Sequence, residues 1–285
     1  MIAAAIISLS FSFWLLRGKF TPVKQTILSR ISLPIALINY QPIFSQDYFF
    51  RYQLALKYLN PDLDVAETQT LQKTVYQETV KEEITRQLAS GYNIAISPQR
   101  LDREYTLIKN QQPDVIALFN NLSEETYKEK ILKPYLLDTE LKIWFNRQKQ
   151  LNQQAYSKIE DFQKQLNSGA KFEDLSKYSQ DKTSAETFGD LGFVEPTTLL
   201  PEILEIVDEM RYDETRIVAS RFGLHLIQLL EKDNQGSNNS ARIHLRQIFI
   251  PASSFDQWYE NESKNFKIIK IIKIWKKWKL KSSII

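Results

Sequence analysis

The sequence predicts an α+β protein made of an N-terminal membrane anchor helix, an all-helical domain and a small domain in which helices surround an antiparallel sheet. Three observations predict this class. An uncharged apolar run opens the chain, apolar residues then recur at helical spacing to about residue 152, and four of the seven glycines fall within residues 169–223. Clustered glycines indicate tight turns between short elements, which is typical of a small mixed domain.

Composition excludes several classes of chemistry. With 285 residues, 43% of them hydrophobic, the chain is long enough for two modest domains. It has no cysteine, which excludes disulfides, thiolate zinc sites and cysteine nucleophiles. The only histidines are His225 and His244, so we expect no metal site and no cofactor.

Charge is distributed unevenly along the chain. The net charge of +3 combines +4 in residues 1–46, +8 in residues 264–281 and −9 in the stretch between them. An acidic body does not suit a polyanionic ligand, so no nucleic acid partner is expected.

The first 20 residues predict a membrane anchor. The run from Met1 to Leu16 is uncharged, ends near Trp14 and is followed by Arg17 and Lys19, as at a membrane edge. A cleaved signal peptide is the rival, but it would begin with basic residues and end in a small-x-small cleavage site. The positive-inside rule taken alone would hold the body in the cytoplasm.

Residues 40–152 predict the all-helical domain. One helix is expected to end before Asn60-Pro61, and a longer one to end with Gly91 as its C′ residue. Ser97 before Pro98 predicts a helix start, as does Ser123 before two glutamates.

Residues 153–250 predict the small domain. Helices are expected over 155–167 and 172–178, and strands over 214–219 and 223–230. A polar linker, 233–240, precedes another strand at 241–250, which Pro251 closes.

Residues 251–285 predict a short helix and a lysine-rich tail. Lysines every three residues step by 300° on a helix, so they wrap around its axis and leave no fixed apolar face. Contact with an anionic membrane is one interpretation of the tail. A solvated tail and an edge strand whose lysines discourage aggregation are the alternatives.

The small domain resembles the parvulin family of peptidyl-prolyl isomerases. The motifs SGAKFEDLSKYSQDKTSAETFGDLGFV, LLPEIL and ASRFGLHLIQLLEKD occur in the family's order within residues 155–232. The preceding helical region, with NYQPIFSQDYFFRYQ and GYNIAISPQRLDREY, is similar to the chaperone segment of SurA- and PrsA-type folding factors.

The resemblance implies a site. Asp181 matches the acidic or thiol position of the parvulin cleft, His225 the histidine beneath the twisted amide, and Ser220 the hydroxyl near it. The residues that match the walls of the proline pocket are Leu191, Leu199, Ile203 and Phe222. Read singly, each could be a core or capping residue, and only their joint order favours the functional interpretation.

The chain departs from the family pattern in three places. Phe188 replaces the first of two glycines, so the turn there is expected to be reshaped. No strand precedes the first helix of the domain, and the nearest match is Leu245–Ile250, after it. We therefore predict a permuted sheet in which this strand folds back, antiparallel to Gly223–Leu230, to a central position; a second, truncated copy beginning at Ala241 is the rival. Gln247 then stands where the family has a histidine, and strand alternation points His244 to the other face.

The resemblance implies a single-pass membrane protein with an extracytoplasmic body that isomerises X-Pro bonds, and for the orientation it outweighs the positive-inside rule. Its partners would be unfolded or proline-containing polypeptides, and the membrane through the N-terminal helix. A non-catalytic holdase that uses the parvulin fold as a peptide-binding module is the alternative, and a helical scaffold without clients is a third.

Overall fold

A computed structural model describes Leu15 and residues 21–58, 63–233 and 241–271. The described residues divide into two compact units: unit 1 holds those up to Pro134 together with those from Asp256 onward, and unit 2 is Tyr135–Phe255. Apart from Leu15, the predicted anchor over residues 1–20 lies outside the described residues. Within the described part of the chain, no helix combines the length and apolar character needed to cross a membrane.

Unit 1 begins with one helix and two short strands and continues with helices. The elements are α1 (Pro22–Leu28), β1 (Pro34–Ile38), β2 (Gln41–Phe44), α2 (Ser45–Tyr58), α3 (Val65–Gly91), α4 (Pro98–Gln111), α5 (Pro113–Leu118), α6 (Glu124–Tyr127), a π-helical turn (Lys128–Leu132) and the start of α7 (Lys133–Arg147).

Unit 2 continues from α7 with most of the strands, and the chain then returns to unit 1. The elements are α8 (Gln153–Asn167), α9 (Phe172–Ser176), α10 (Lys182–Glu186), β3 (Asp190–Val194), a 3-10 turn (Pro196–Thr198), α11 (Pro201–Glu209), β4 (Thr215–Ala219), β5 (Gly223–Asp233), β6 (Arg242–Pro251), α12 (Phe255–Ser263) and β7 (Ile268–Lys270).

The sheet of unit 2 has the strand order β3-β6-β5-β4, with every neighbouring pair antiparallel. β6 pairs with β5 from Gly223 opposite Pro251 to Asp233 opposite Arg242. The permuted arrangement predicted from the sequence is thereby confirmed, because the last strand of the unit folds back to an inner position.

The two faces of this sheet bury separate cores. Leu224 and Leu226 of β5 pack with Ile248 of β6 against α8 and α9. Ile227 and Leu229, on the opposite face, belong to a second cluster, whose buried members are Ile203, Val207, Met210, Val218, Ile227, Leu229, Ile243 and Leu245. This split follows from strand alternation, and it assigns His225 and Gln247 to the face of the second cluster.

Unit 1 corrects the prediction of an all-helical domain. β2 lies within residues 40–152 and joins a three-stranded antiparallel sheet of order β2-β1-β7. In that sheet Ala36 of β1 is paired with Lys270. The first part of the lysine-rich tail is therefore an edge strand, which is one of the three interpretations given above, and residues 272–285 lie outside the described residues.

Helix starts agree with the sequence, but one helix end does not. The Ser97 and Ser123 hydroxyls accept the amides of Arg100 and Thr126, as their positions predicted. Gly91 is still helical, so its prediction as C′ residue was wrong. The left-handed residue is instead Asn93 (φ 57°), and the next amide, that of Ile94, bonds to the Ala89 carbonyl.

A charged cluster links α2, α3 and the π-helical turn within unit 1. Arg51 forms an ion pair with Glu82 and also donates to the Lys130 carbonyl at 3.4 Å. Lys130 Nζ lies 2.5 Å from Asp47 Oδ1. Burial raises the pKa of Glu82 to about 7, although the Arg51 guanidinium opposes the shift.

Removing β6 should unfold unit 2. β6 contributes the buried side chains Ile243, Leu245, Ile248 and Ile250. At roughly 1.5–3 kcal/mol each, their burial is comparable to the roughly 5–15 kcal/mol that stabilises a typical domain. We expect a fragment of residues 135–255 to unfold cooperatively in urea and a fragment of residues 135–233 to show no cooperative transition by circular dichroism. A cooperative transition in the shorter fragment would contradict the permuted sheet.

Replacing Glu82 should change how stability depends on pH. Because the native carboxyl holds its proton more tightly than the unfolded one does, its contribution is greatest below pH 4.5 and is lost as the pH rises to about 7. We expect Glu82→Gln to flatten this part of the curve of unfolding free energy against pH, measured by urea denaturation at intervals from pH 4.5 to 7.5. An unchanged slope would contradict the raised pKa. Glu125→Gln is a suitable control because Glu125 is exposed and outside the cluster.

Candidate active site

The candidate site lies on one face of the unit 2 sheet and is built from four segments. β5 contributes His225, β6 contributes Gln247, the β4–β5 turn contributes Ser220, and the start of α10 contributes Asp181. In the β5–β6 pairing Gln247 lies opposite Ile227, two residues from His225 and on the same face. The fold thus brings together all four polar residues that the sequence singled out.

These side chains form one continuous chain of hydrogen bonds. Ser220 Oγ lies 2.7 Å from His225 Nε2, and His225 Nδ1 lies 2.9 Å from Gln247 Oε1. Gln247 Nε2 donates to Asp181 Oδ2 across a longer 3.5 Å. His225 is buried, whereas Gln247 and Asp181 are half-buried, so the chain runs from the core towards solvent.

The arrangement fixes the direction of each hydrogen bond. The Gln247 amide group must face the Asp181 carboxylate, which only accepts, so its carbonyl oxygen faces His225. His225 Nδ1 then carries the ring proton, and Nε2 accepts from the Ser220 hydroxyl. The Phe222 amide in turn donates to Ser220 Oγ at 3.0 Å. Gln247 cannot exchange a proton near neutral pH, so this chain does not work as a proton relay.

Asp181 is held by the helix that it caps. Its Oδ2 accepts from the Ser184 amide at 3.1 Å and from the Ser184 hydroxyl at 2.5 Å. Ser184 is fully buried and lies 3.1 Å from Ser179, whose hydroxyl accepts the Phe249 amide of β6. Capping and a place in the hydrogen-bond chain are therefore compatible roles of the same carboxylate.

Burial controls the protonation of His225. Loss of solvation lowers the pKa of the imidazole below its usual value. The Gln247 hydrogen bond and the nearby carboxylates Glu202 and Asp181 oppose this shift without cancelling it. The histidine is consequently neutral at physiological pH, which agrees with Nε2 acting as an acceptor.

The predicted pocket residues differ in their surroundings. Ile203 is buried in the second core cluster, and Leu191 and Leu199 pack against that cluster while half-buried. Phe222 is 61% exposed, with the Arg221 guanidinium 5.6 Å from its ring centroid. Three of the four predicted wall residues thus share one apolar cluster, and Phe222 lies on the turn that carries Ser220.

Phe188 lies in the turn between α10 and β3. It takes up the left-handed conformation (φ 56°) itself, followed by Gly189 at φ 84°. The Gly189 amide bonds to the Ser184 carbonyl at 2.6 Å, and its carbonyl accepts the Gln247 amide at 2.8 Å. A Cβ atom at Gly189 would come within 2.6 Å of Phe172, so glycine is required at the second position only.

Sequence reasoning missed two groups near this site. Glu202, only 7% exposed, accepts the Arg221 amide at 3.1 Å and thereby holds the β4–β5 turn, and Asn146 donates to the Ser220 carbonyl at 2.8 Å. The one sequence signal for these two groups was the position of Glu202, an acid directly after the proline of LLPEIL.

His244 Nε2 lies 2.7 Å from Asp190 Oδ1 on the other face of β6, as strand alternation predicted for His244. Among the described residues, no cluster of three or more His, Asp or Glu side chains could hold a metal ion.

Comparison with known families gives a match over the same region. Residues 130–233 match the model of the PPIC-type PPIASE domain. The SurA chaperone of Nitrosospira multiformis is 30% identical over 111 residues, which is 37% of this chain and 25% of the relative. The SurA chaperone of Bordetella parapertussis is 36% identical over 116 residues, covering 38% and 22%. The chain thus spans about a quarter of the length of these relatives.

The similar solved structures include two of PrsA. PrsA from Bacillus subtilis is 16% identical, with a TM-score of 0.26 over 69% of this chain and 77% of that one. The peptidylprolyl isomerase PrsA from Bacillus anthracis is 20% identical, with a TM-score of 0.22 over 67% and 86%. Both TM-scores are too low for a functional comparison. The family match and the SurA relatives confirm the resemblance to parvulin-type PPIase domains that was recognised from the sequence.

The protonation state of His225 can be tested directly. We expect nitrogen NMR to show a proton on Nδ1 at pH 7.5 and a titration midpoint below 6.5, because the buried ring resists charging. The folded pKa is the lower one, so the stability that His225 contributes should be complete above pH 6.5 and decline as the pH falls. A His244→Gln variant assigns the His225 signals, and a proton on Nε2 or a midpoint above 6.5 would refute the assignment.

Proposed function

We propose that this protein is a membrane-anchored, extracytoplasmic folding factor whose unit 2 isomerises X-Pro bonds of unfolded or secreted polypeptides. The observation that carries the proposal is the hydrogen-bond chain from Ser220 through His225 and Gln247 to Asp181, which lies on the same sheet face as an apolar cluster containing Ile203. These residues occupy the positions that the parvulin motifs assign to the cleft and to the proline pocket.

To catalyse isomerisation, a protein must stabilise a twisted amide. Rotation about the prolyl bond breaks amide resonance and meets a barrier near 18–20 kcal/mol. The twisted amide is less polar at its oxygen and regains a lone pair on nitrogen, so an apolar pocket with a positioned donor binds it better than the planar form. No nucleophile, metal or cofactor enters such a mechanism.

Gln247 is the donor best placed for this role. Its amide nitrogen carries two protons, and the one bond described for it, to Asp181, is long at 3.5 Å. It is half-buried, while His225 is buried and has both ring nitrogens engaged. In this proposal Asp181 orients and polarises the Gln247 amide nitrogen, and His225 holds the Gln247 carbonyl oxygen.

Unit 1 is proposed to bind unfolded chain, and the N-terminal residues to anchor the protein in a membrane. SurA relatives support a chaperone role, and the sequence of residues 1–20 supports the anchor. Protease treatment of intact cells tests the orientation: cleavage of the body supports an extracytoplasmic location, and a protected body would reverse it.

A holdase without isomerase activity is the second candidate. The observation that favours it is Gln247 itself, because Gln247 cannot exchange a proton near neutral pH and the hydrogen-bond chain is complete without a client. The parvulin fold would then serve only to bind peptide.

An isomerisation assay separates the two candidates. A fragment of residues 21–271 suits the assay because it keeps β7, which pairs with β1. We expect it to accelerate isomerisation of a proline tetrapeptide, and His225→Ala and Asp181→Ala each to lower kcat/KM by about 10–100-fold, since each substitution removes part of the support of Gln247. His244→Ala is the control, because His244 lies on the other face of β6.

The same proteins should be tested for suppression of client aggregation. Background isomerisation rates together with intact suppression would establish the holdase in place of the isomerase. Loss of activity in His244→Ala equal to that in His225→Ala would show that the effect is structural and would refute the assignment of the site.

A further inference from the structure

Phe188 adopts a left-handed backbone conformation (φ 56°), which is unfavourable for a residue with a Cβ atom. It occupies the C′ position after α10, where the Gly189 amide bonds back to the Ser184 carbonyl. That bond requires a left-handed residue, and glycine is the usual choice because a Cβ atom is strained there. Among the described residues, the other non-glycine residues with positive φ are Asn39, Tyr40, Asn93 and Asp213.

Packing within the protein does not explain Phe188. Its side chain is 66% exposed, which makes it one of the most exposed large apolar side chains of the described residues. Gly189 is fixed by the close approach of Phe172, whereas the turn requires only a left-handed backbone at residue 188. A phenylalanine here costs conformational strain and exposes apolar surface, and strain of this kind tends to occur at functional positions.

The position of Phe188 relates it to the candidate site. The carbonyl of the next residue, Gly189, accepts the backbone amide of Gln247, and the helix that precedes Phe188 is capped by Asp181. Phe188 therefore lies on the backbone segment between the Asp181 cap and the Gly189 carbonyl that binds Gln247. Phe222, 61% exposed, borders the Ser220 end of the hydrogen-bond chain, because its amide donates to Ser220.

We propose that Phe188 determines substrate specificity by contacting an apolar or aromatic client side chain next to the proline. An extended peptide laid along the hydrogen-bond chain would meet an exposed phenylalanine at each end. Aromatic rings gain from such contacts both through area removed from water and through ring geometry. The proposal rests on the function proposed above, since it concerns the same clients.

Phe188→Gly separates a binding role from a purely structural one. Relief of strain should raise Tm by about 2–4 °C, and loss of the ring should weaken client binding, so the two effects run in opposite directions. Tyr40→Gly is the matched control: Tyr40 is also aromatic, has φ 68°, is 73% exposed and belongs to unit 1. Its replacement relieves the same type of strain within unit 1.

Binding is measured on the full chain in detergent by fluorescence anisotropy, with labelled peptides Ala-Phe-Pro-Ala and Ala-Ala-Pro-Ala. For Phe188→Gly we expect the Kd for the phenylalanine peptide to rise about tenfold and the Kd for the alanine peptide to change less than twofold. For Tyr40→Gly both affinities should stay as in the wild type. Phe188→Leu should restore most of the preference, because it restores apolar surface.

The outcomes distinguish this inference from the proposed function. If the wild type prefers the phenylalanine peptide and Phe188→Gly keeps that preference, the role of Phe188 is refuted while the isomerase remains. If Phe188→Gly raises the Kd of both peptides equally, Phe188 does not select for the side chain next to the proline. Absence of isomerisation together with the expected loss of preference would overturn the isomerase and leave Phe188 as a binding residue. If the wild type binds neither peptide, both proposals fall.

Discussion

The antiparallel pairing of β5 with β6 is the constraint on which unit 2 depends. It closes the two cores on opposite faces of the sheet, because alternate residues of both strands point to each side. It also sets the register that places Gln247 two residues along from His225 on the neighbouring strand. A shift of one residue in the β5–β6 register would turn Gln247 to the other face and break the hydrogen-bond chain. Stability and the candidate site therefore depend on the same register.

Gln247, at a position where the parvulin resemblance implies a histidine, limits what the candidate site can do. A pair of histidines can share and exchange protons, whereas glutamine presents one acceptor and two donors of fixed kind. The Asp181 carboxylate then determines the orientation of the Gln247 amide, and this determines which His225 nitrogen carries the proton. The chain of bonds has one direction from Ser220 to Asp181, which suits a site that positions a donor and does not transfer a proton.

Features that depend on neighbouring residues were predicted well from the sequence. Pairings between strands far apart in the chain were predicted poorly. The capping of a helix by Ser97 depends only on neighbouring residues, so the start of this helix could be predicted from the sequence. β1 is five residues long, and its partner β7 follows more than 220 residues later, so no local pattern reveals their pairing. The motif order placed the polar site residues, but the contact of His244 with Asp190 depends on the β3–β6 register, which contains an irregularity between Asp190 and Phe193.

The turn at Phe188 shows how one local geometry can serve several functions. Ser184 provides the carbonyl that closes the turn and the hydroxyl that holds Asp181, and Gly189 provides the carbonyl that binds the Gln247 amide. The backbone between them is consequently over-determined, and residue 188 must adopt the left-handed conformation whatever its side chain. Glycine would satisfy the backbone at lower cost, so the chemical character of Phe188 adds nothing to the turn. The role that we propose for its aromatic ring is contact with a client that approaches the candidate site from solvent.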